Sequence, residues 1–147
     1  MKNIMKKVRG NKQGFTLAEL LVVVAIVGIL VAISIPVFTA QLGKARKATN
    51  QANLRAAKAA AVAEYLTGDK TGTVSYNYDI KTGVATACED DSKRTATTKV
   101  EDIDNASSKV KYGKISVVIT ETKGSSGGVD GSTVTLYSDE TETKSDN

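Results

Sequence analysis

The sequence predicts an α+β protein, in which a long N-terminal helix packs on a small antiparallel β-sheet head. Three observations predict this fold. Residues 20–38 form a run of 19 residues without a charge, small apolar residues then recur at steps of three and four as far as Leu66, and segments that alternate apolar and polar residues follow. Such patterns are typical of a membrane-length helix, an amphipathic helix and β-strands, in that order.

Residues 1–14 read as a basic leader. They carry Lys2, Lys6, Lys7, Arg9 and Lys12 and no acid, while the remaining 133 residues hold 15 basic and 16 acidic side chains. The formal net charge of +4 therefore belongs to the leader and does not indicate a nucleic-acid-binding body.

The apolar run, placed in a predicted segment 15–40, is interpreted as a membrane anchor. A bilayer core of about 30 Å needs about 20 apolar residues as helix. A secretory signal peptide has a shorter run that ends in a small-residue cleavage site, whereas this run ends in Ile-Pro-Val-Phe at 35–38. The candidate cleavage site, Gly14-Phe15, lies before the run, so cutting there leaves the anchor on the mature protein, with the leader on the cytoplasmic side.

Three residues of the anchor stand out. Glu19 is a lone acid, and acids within membrane segments are costly and usually functional; the alternative is an interfacial carboxylate that reaches the headgroups and does nothing else. Gly28 and Pro36 both weaken a helix interior, and Pro36 removes the hydrogen bond to the carbonyl of Ala32. For Gly28, close packing against another helix is an equal alternative.

Residues 41–66 are predicted to continue the helix as an amphipathic stem that ends near Gly68. The face expected to pack on the sheet consists of Leu42, Ala45, Ala48, Ala52, Ala56, Ala59, Ala63 and Leu66. A second stripe is largely basic and consists of Lys44, Lys47, Gln51, Arg55 and Lys58. Because no aromatic residue interleaves with it for base stacking, attraction to the acidic heads of neighbouring subunits is favoured over a DNA track, and nucleic acid is not an expected partner.

Residues 67–138 are predicted to form the β-rich head. Strands are expected at 73–80, 84–87, 114–122 and 132–138, and a short helix is expected through Val100, Ile103, Ser107 and Val110. Residues 89–94 and 124–131 are expected to be loops, and residues 139–147 a polar C-terminal tail. The one cysteine, Cys88, excludes an internal disulfide and is interpreted as a small buried apolar residue.

Catalytic and cofactor chemistry find no support in the sequence. The chain has no histidine, which excludes Ser-His-Asp and Cys-His arrangements. The glycine-rich stretch 124–131 lacks the Lys-Ser/Thr ending of a phosphate loop, and Glu101, Asp102 and Asp104 lack the spacing of a calcium loop. The chain is therefore expected not to be an enzyme, with no catalytic residue, no cofactor and no metal site.

The leader ending in Gly14, followed by FTLAELLVVVAIVGILVAISIP, resembles a type IV prepilin with a class III leader over roughly residues 9–40. The resemblance implies that a prepilin peptidase cuts after Gly14 and N-methylates Phe15. It also implies that subunits leave the membrane and join a helical filament through a cytoplasmic ATPase and a platform protein. Glu19 would then meet the amine of a neighbouring subunit, and the stretch from Gly28 to Pro36 would lose helix in the filament.

The resemblance implies a major-pilin-like structural subunit, anchored in the cytoplasmic membrane and then exported in a surface pilus for adhesion, aggregation or twitching motility. The alternative is a pseudopilin of a type II-like secretion system or a competence pilin for DNA uptake. Secretion pseudopilins usually carry a Tyr-Pro segment after the stem, but Pro36 is the one proline here; competence pilins tend to be shorter or disulfide-linked. A third possibility is a signal anchor that is never cut. Cysteine-poor heads are typical of pilins from Gram-positive bacteria such as clostridia.

Overall fold

The computed structural model describes residues 14–125 and 128–140, so residues 1–13 of the leader and residues 141–147 of the tail lie outside the described residues. Helix α1 (Leu17–Thr67) is followed by strands β1 (Thr73–Asp79), β2 (Val84–Ala87), β3 (Lys99–Val100), β4 (Tyr112–Lys123) and β5 (Val129–Glu140). This confirms the α+β prediction. The chain divides into two units, with the boundary after Thr39.

The five strands form one antiparallel sheet in the order β2-β1-β4-β5-β3. Strands β4 and β5 are 12 residues each and extend beyond the predicted segments. At the end away from the turn, Tyr112 pairs with Glu140 and Lys114 with Asp139, so the prediction that residues 139 and 140 belong to the C-terminal tail is wrong. At the turn, Thr122 pairs with Gly131 and Lys123 with Val129. Backbone pairing therefore shortens the loop expected at 124–131.

The core lies between the sheet and the second half of α1. Alternation along β4 points Ile115, Val117 and Ile119 to the helix-facing side, and all three are buried. Tyr76 lies opposite Val117 on one neighbouring strand and Leu136 lies opposite it on the other. A continuous apolar layer thus faces the helix.

The predicted sheet-packing face of the stem is wrong. The stem residues that are buried are Asn50, Leu54, Ala57 and Ala61, and the predicted Leu66 is 74% exposed. Alanine occurs on nearly every side of this helix, so spacing alone does not select a face. The selection comes from Leu54, which fills the core, and from the side chain of Asn50, which bonds the backbone of the head.

The predicted short helix through Val100, Ile103, Ser107 and Val110 is also wrong. Val100 pairs with Leu136 in the sheet, and only Ile103–Asn105 turns, as a 3₁₀ helix. The side chain of Asp102 accepts a hydrogen bond from the amide of Asp104 at 2.9 Å. Short acidic side chains compete for backbone amides in this way, which favours a capped turn over a helix.

The other face of the sheet is polar and is covered by residues 88–98. The Oδ1 atom of Asn77 accepts hydrogen bonds from the amide of Thr95 at 2.9 Å and from the hydroxyl of Ser116 at 2.8 Å. Ala96 is fully buried, and its amide donates to the Ser116 hydroxyl at 3.1 Å. This network fixes the segment without a disulfide. Cys88 lies half-buried at its start, and burial raises the pKa of its thiol.

Candidate processing and assembly site

The Gly14-Phe15 junction lies just before α1, which begins at Leu17. A side chain built on Gly14 meets no described atom within 4 Å, and the Phe15 side chain is 93% exposed. The described part of the chain therefore leaves both residues of the predicted cleavage site open to a peptidase.

Glu19 and Thr16 form a reciprocal cap at the start of α1. The amide and the hydroxyl of Thr16 both donate to Oε2 of Glu19, at 2.7 Å and 2.8 Å. The amide of Glu19 donates to the hydroxyl of Thr16 at 3.2 Å. This is a capping box, which satisfies amides that have no partner within the helix.

Thr16 was not among the residues singled out from the sequence. Its signal was present as a Thr-x-x-Glu sequence at 16–19, placed directly before the apolar run. Because unpaired amides are costly in hydrocarbon, the box gives Glu19 a local role that precedes any contact with another subunit.

The helix that follows exposes its apolar side chains on every side. Within the first unit no described residue is buried, and exposure runs from 48% at Val31 to 78% at Leu17 among the large apolar side chains of α1 before Thr39. By length and composition α1 can cross a membrane. This surface fits membrane anchoring, because water would penalise so much exposed hydrocarbon.

Helix α1 is uninterrupted at both Gly28 and Pro36. The hydroxyl of Ser34 donates to the carbonyl of Leu30 at 2.6 Å, and a side chain built on Gly28 meets no described atom within 4 Å. The single chain therefore gives Gly28 no packing partner. Loss of helix between these two residues in a filament stays a prediction.

Part of the predicted basic stripe is engaged by the head of the same chain. Arg55 pairs with the carboxylate of Asp104 at 3.0 Å, and the side-chain amide of Gln51 donates to the backbone carbonyl of Asp104 at 3.2 Å. Asp104 and Asp102 thus stabilise the head itself. Across residues 14–125 and 128–140, no group of three or more His, Cys, Asp or Glu side chains is placed to hold a metal ion.

Residues 9–35 match the family model described as the prokaryotic N-terminal methylation motif. The match includes Gly14, Phe15 and Glu19, and confirms the prepilin-like interpretation of the N-terminus. It indicates a type IV pilin-like or pseudopilin precursor, and the motif is that of a structural family and not of an enzyme family. The chain has no significant match among curated proteins. No solved structure gives a significant match either.

Proposed function

We propose that this chain, whose N-terminus carries the methylation motif of type IV prepilins, is the structural subunit of a type IV pilus. A prepilin peptidase cuts after Gly14 and methylates the new amine of Phe15. The mature subunit waits in the cytoplasmic membrane, and an ATPase and a platform protein then add it to an extracellular filament that serves adhesion, aggregation or twitching motility.

One observation carries this proposal: the part of α1 from Leu17 to Thr39 follows the Gly14-Phe15 junction, has no buried residue and contains a single acid. Glu19 is the one charged residue between Lys12 and Lys44. Hydrocarbon exposed on all sides of a helix needs lipid or other copies of the same helix around it. The membrane surrounds the helix with lipid before assembly, and the filament then surrounds it with other copies of the same helix.

Cleavage changes the partners available to Glu19. It creates a cationic amine on Phe15, and opposite charges attract far more strongly in a low-dielectric surround than in water. Within one chain, the carboxylate is already held by the amide and the hydroxyl of Thr16. A carboxylate accepts several hydrogen bonds, so Glu19 keeps capacity for the amine of a neighbouring subunit, and that contact sets the axial register.

The test replaces Glu19 with glutamine. Glu19→Gln retains the size and a capping oxygen but removes the charge. It should be inserted and cut normally yet accumulate in the membrane, with few or no filaments, when sheared filaments and membranes are blotted separately. Leu20→Ala is the matched control, since it removes only apolar area from the next residue, and it should still form filaments.

Wild-type filament yield from Glu19→Gln, in cells with no other pilin, would contradict the role of the charge. Loss of cleavage in the same variant would instead assign Glu19 to recognition by the peptidase.

A further inference from the structure

One edge of the sheet is only partly paired. β3 pairs with β5 at Leu136 and Tyr137, and just beyond them the amide of Ser138 donates to the carbonyl of Thr98 at 2.8 Å. Residues 131–135 of β5 pair with β4, and no other described residue forms a hydrogen bond with their backbone. We call these five residues the open edge. At about 3.3 Å per residue they span about 17 Å.

The open edge presents backbone donors and acceptors. The amide of Ser138 points away from β4, toward Thr98, and alternate residues of a strand point their backbone groups to the same side. The amides and carbonyls of Val134 and Ser132 therefore also point away from β4, where no described strand lies beside them. An unpaired edge of this kind accepts an added strand.

The open edge lines a cavity that has room for such a strand. The cavity has a volume of about 560 Å³, and its other walls are residues 99–104 and the stem residues Arg55 and Lys58. An adjoining groove shares Arg55, Lys58 and Ile103 and runs along the helix to Leu66, which is 74% exposed. A strand added to the open edge would therefore gain backbone partners and cover apolar side chains of the stem.

The charges of the cavity favour an occupant that carries both signs. Two of its three bases form ion pairs with acids of the same cavity, at 3.0 Å for Arg55 and 3.2 Å for Lys99. The third base, Lys58, and one acid, Asp102, form no ion pair within the described part of the chain. A strand that carries an acid and a base would offset both of these charges.

Residues 141–147 of a second copy have the required properties. They follow β5 in the sequence and read Thr-Glu-Thr-Lys-Ser-Asp-Asn. Glu142 and Lys144 supply both signs on the same face of a strand, because they are two residues apart. Thr141 and Thr143 are β-branched, which favours an extended strand. Seven residues are enough to run along the five residues of the open edge.

The positions of this segment and of the open edge favour contact between copies over contact within one copy. The open edge lies in the first half of β5, and residues 141–147 leave from the other end of β5, where residues 98–100 occupy the same side of the strand. A contact between two different surfaces can repeat from copy to copy without closing, as a filament requires. We infer that residues 141–147 of one subunit pair with the open edge of the next subunit in the filament.

This inference rests on the proposed pilus, so its test uses the full chain in sheared filaments. Thr133→Cys places a thiol on the open edge and Thr143→Cys places one on the added segment, both in a Cys88→Ser background. A flexible bismaleimide then joins the thiols without requiring an exact register. Denaturing gels should show a ladder that extends beyond trimers, because each copy is joined to two others. The matched control, Thr86→Cys with Thr143→Cys, moves the first thiol to an exposed residue at the opposite edge of the sheet and should give no ladder.

Ser132→Pro tests the backbone pairing itself. Proline removes an amide that points away from β4, so the bonds between β4 and β5 are kept. Cross-linking should fall at least about fivefold with the loss of that hydrogen bond, whereas Ser132→Ala keeps the amide and should retain the cross-link. If circular dichroism shows that Ser132→Pro is misfolded, Thr141→Pro with Glu142→Pro replaces it. Consecutive amides point to opposite sides of a strand, so one of these two faces the open edge, and cross-linking should again fall.

Filaments of this chain that give no ladder would overturn the inference, and so would equal cross-linking in Ser132→Pro and Ser132→Ala. Cross-linking that stops at dimers would also overturn it, because it would assign the open edge to a closed contact between two copies. Filaments that lack this chain would contradict the proposed pilus subunit and the inference together. Filaments that contain the chain but give no ladder contradict the inference alone.

Discussion

The two units of this chain differ in how much of their apolar surface they bury. Before the boundary at Thr39, the described residues of α1 bury nothing, although nearly all of them are apolar. After it, the same helix buries Leu54, Ala57 and Ala61 against the sheet. The head therefore has a core of its own, whereas the described residues of the apolar segment form none, which fits membrane anchoring.

The two units therefore differ in what makes a residue important, which is its position in the apolar segment and its burial in the head. In the apolar segment, we expect the function to depend on single residues at fixed positions, because no described residue there is buried by tertiary packing. In the head, burial decides which residues matter. Substitutions should therefore affect cleavage and assembly in the first unit and the free energy of unfolding in the second.

The largest effect is expected at the cleavage site. Gly14→Phe should leave uncut precursor in the membrane, because a peptidase must bring its catalytic groups close to the backbone at this residue. Blotting of membranes for the precursor and the shorter mature form measures this. Gly10→Phe, at the other glycine of the leader, should be cut; efficient cleavage of Gly14→Phe would show that the junction lies elsewhere.

A smaller effect, confined to stability, is expected in the core. Leu54→Ala should lower the free energy of unfolding by about 2–5 kcal/mol, because it leaves a cavity at a fully buried site. Leu66→Ala lies on the same helix at 74% exposure and should change it by less than about 0.5 kcal/mol. Denaturant titration of the detergent-solubilised chain compares them. Equal losses would mean that Leu66 is buried after all and that the stem packs by another face.

The smallest effect concerns the contact between the last turns of α1 and β4, where Tyr65 is hydrogen-bonded to Glu121. Its hydroxyl donates to Oε1 of Glu121 at 2.5 Å, and the amide of Gly72 donates to the other oxygen at 2.9 Å. Gly72 has a φ of 82°, which favours glycine there. The bond to Glu121 raises the pKa of Tyr65 to about 12, and the same bond lowers the pKa of Glu121.

The pH dependence follows from these directions. Stabilisation from neutral Tyr65 is complete below pH 10.0, the ordinary pKa, and is lost as the pH rises through about 12. Stabilisation from ionised Glu121 is present above its ordinary pKa of 4.5 and is lost as the pH falls through its lowered pKa. Tyr65→Phe should therefore be less stable than wild type near pH 8, and the gap should close toward pH 12. A Tyr65→Phe gap that is constant with pH would contradict the Tyr65–Glu121 bond.

The sequence predicted the strands well, because alternation in Val74-Tyr76-Tyr78 and in 114–122 has one simple reading. It failed on the stem face, where alanine surrounds the helix and the orientation is decided by Leu54 in the core and by the bonds of Asn50 to a loop about 60 residues away. It also failed at 100–110, where acid side chains cap a turn. Spacing singled out the Gly14-Phe15 junction and Glu19, whose roles stay predictions, while Thr16 was missed although its capping signal was local.

The central claim is that the subunits of the filament begin at Phe15, and the intact mass of protein from sheared surface filaments tests it most directly. The account predicts the mass of residues 15–147 plus one methyl group, with the methyl on the amine of Phe15 when the N-terminal peptide is fragmented. A filament protein that retains residues 1–14, or filaments that lack this chain altogether, would contradict it.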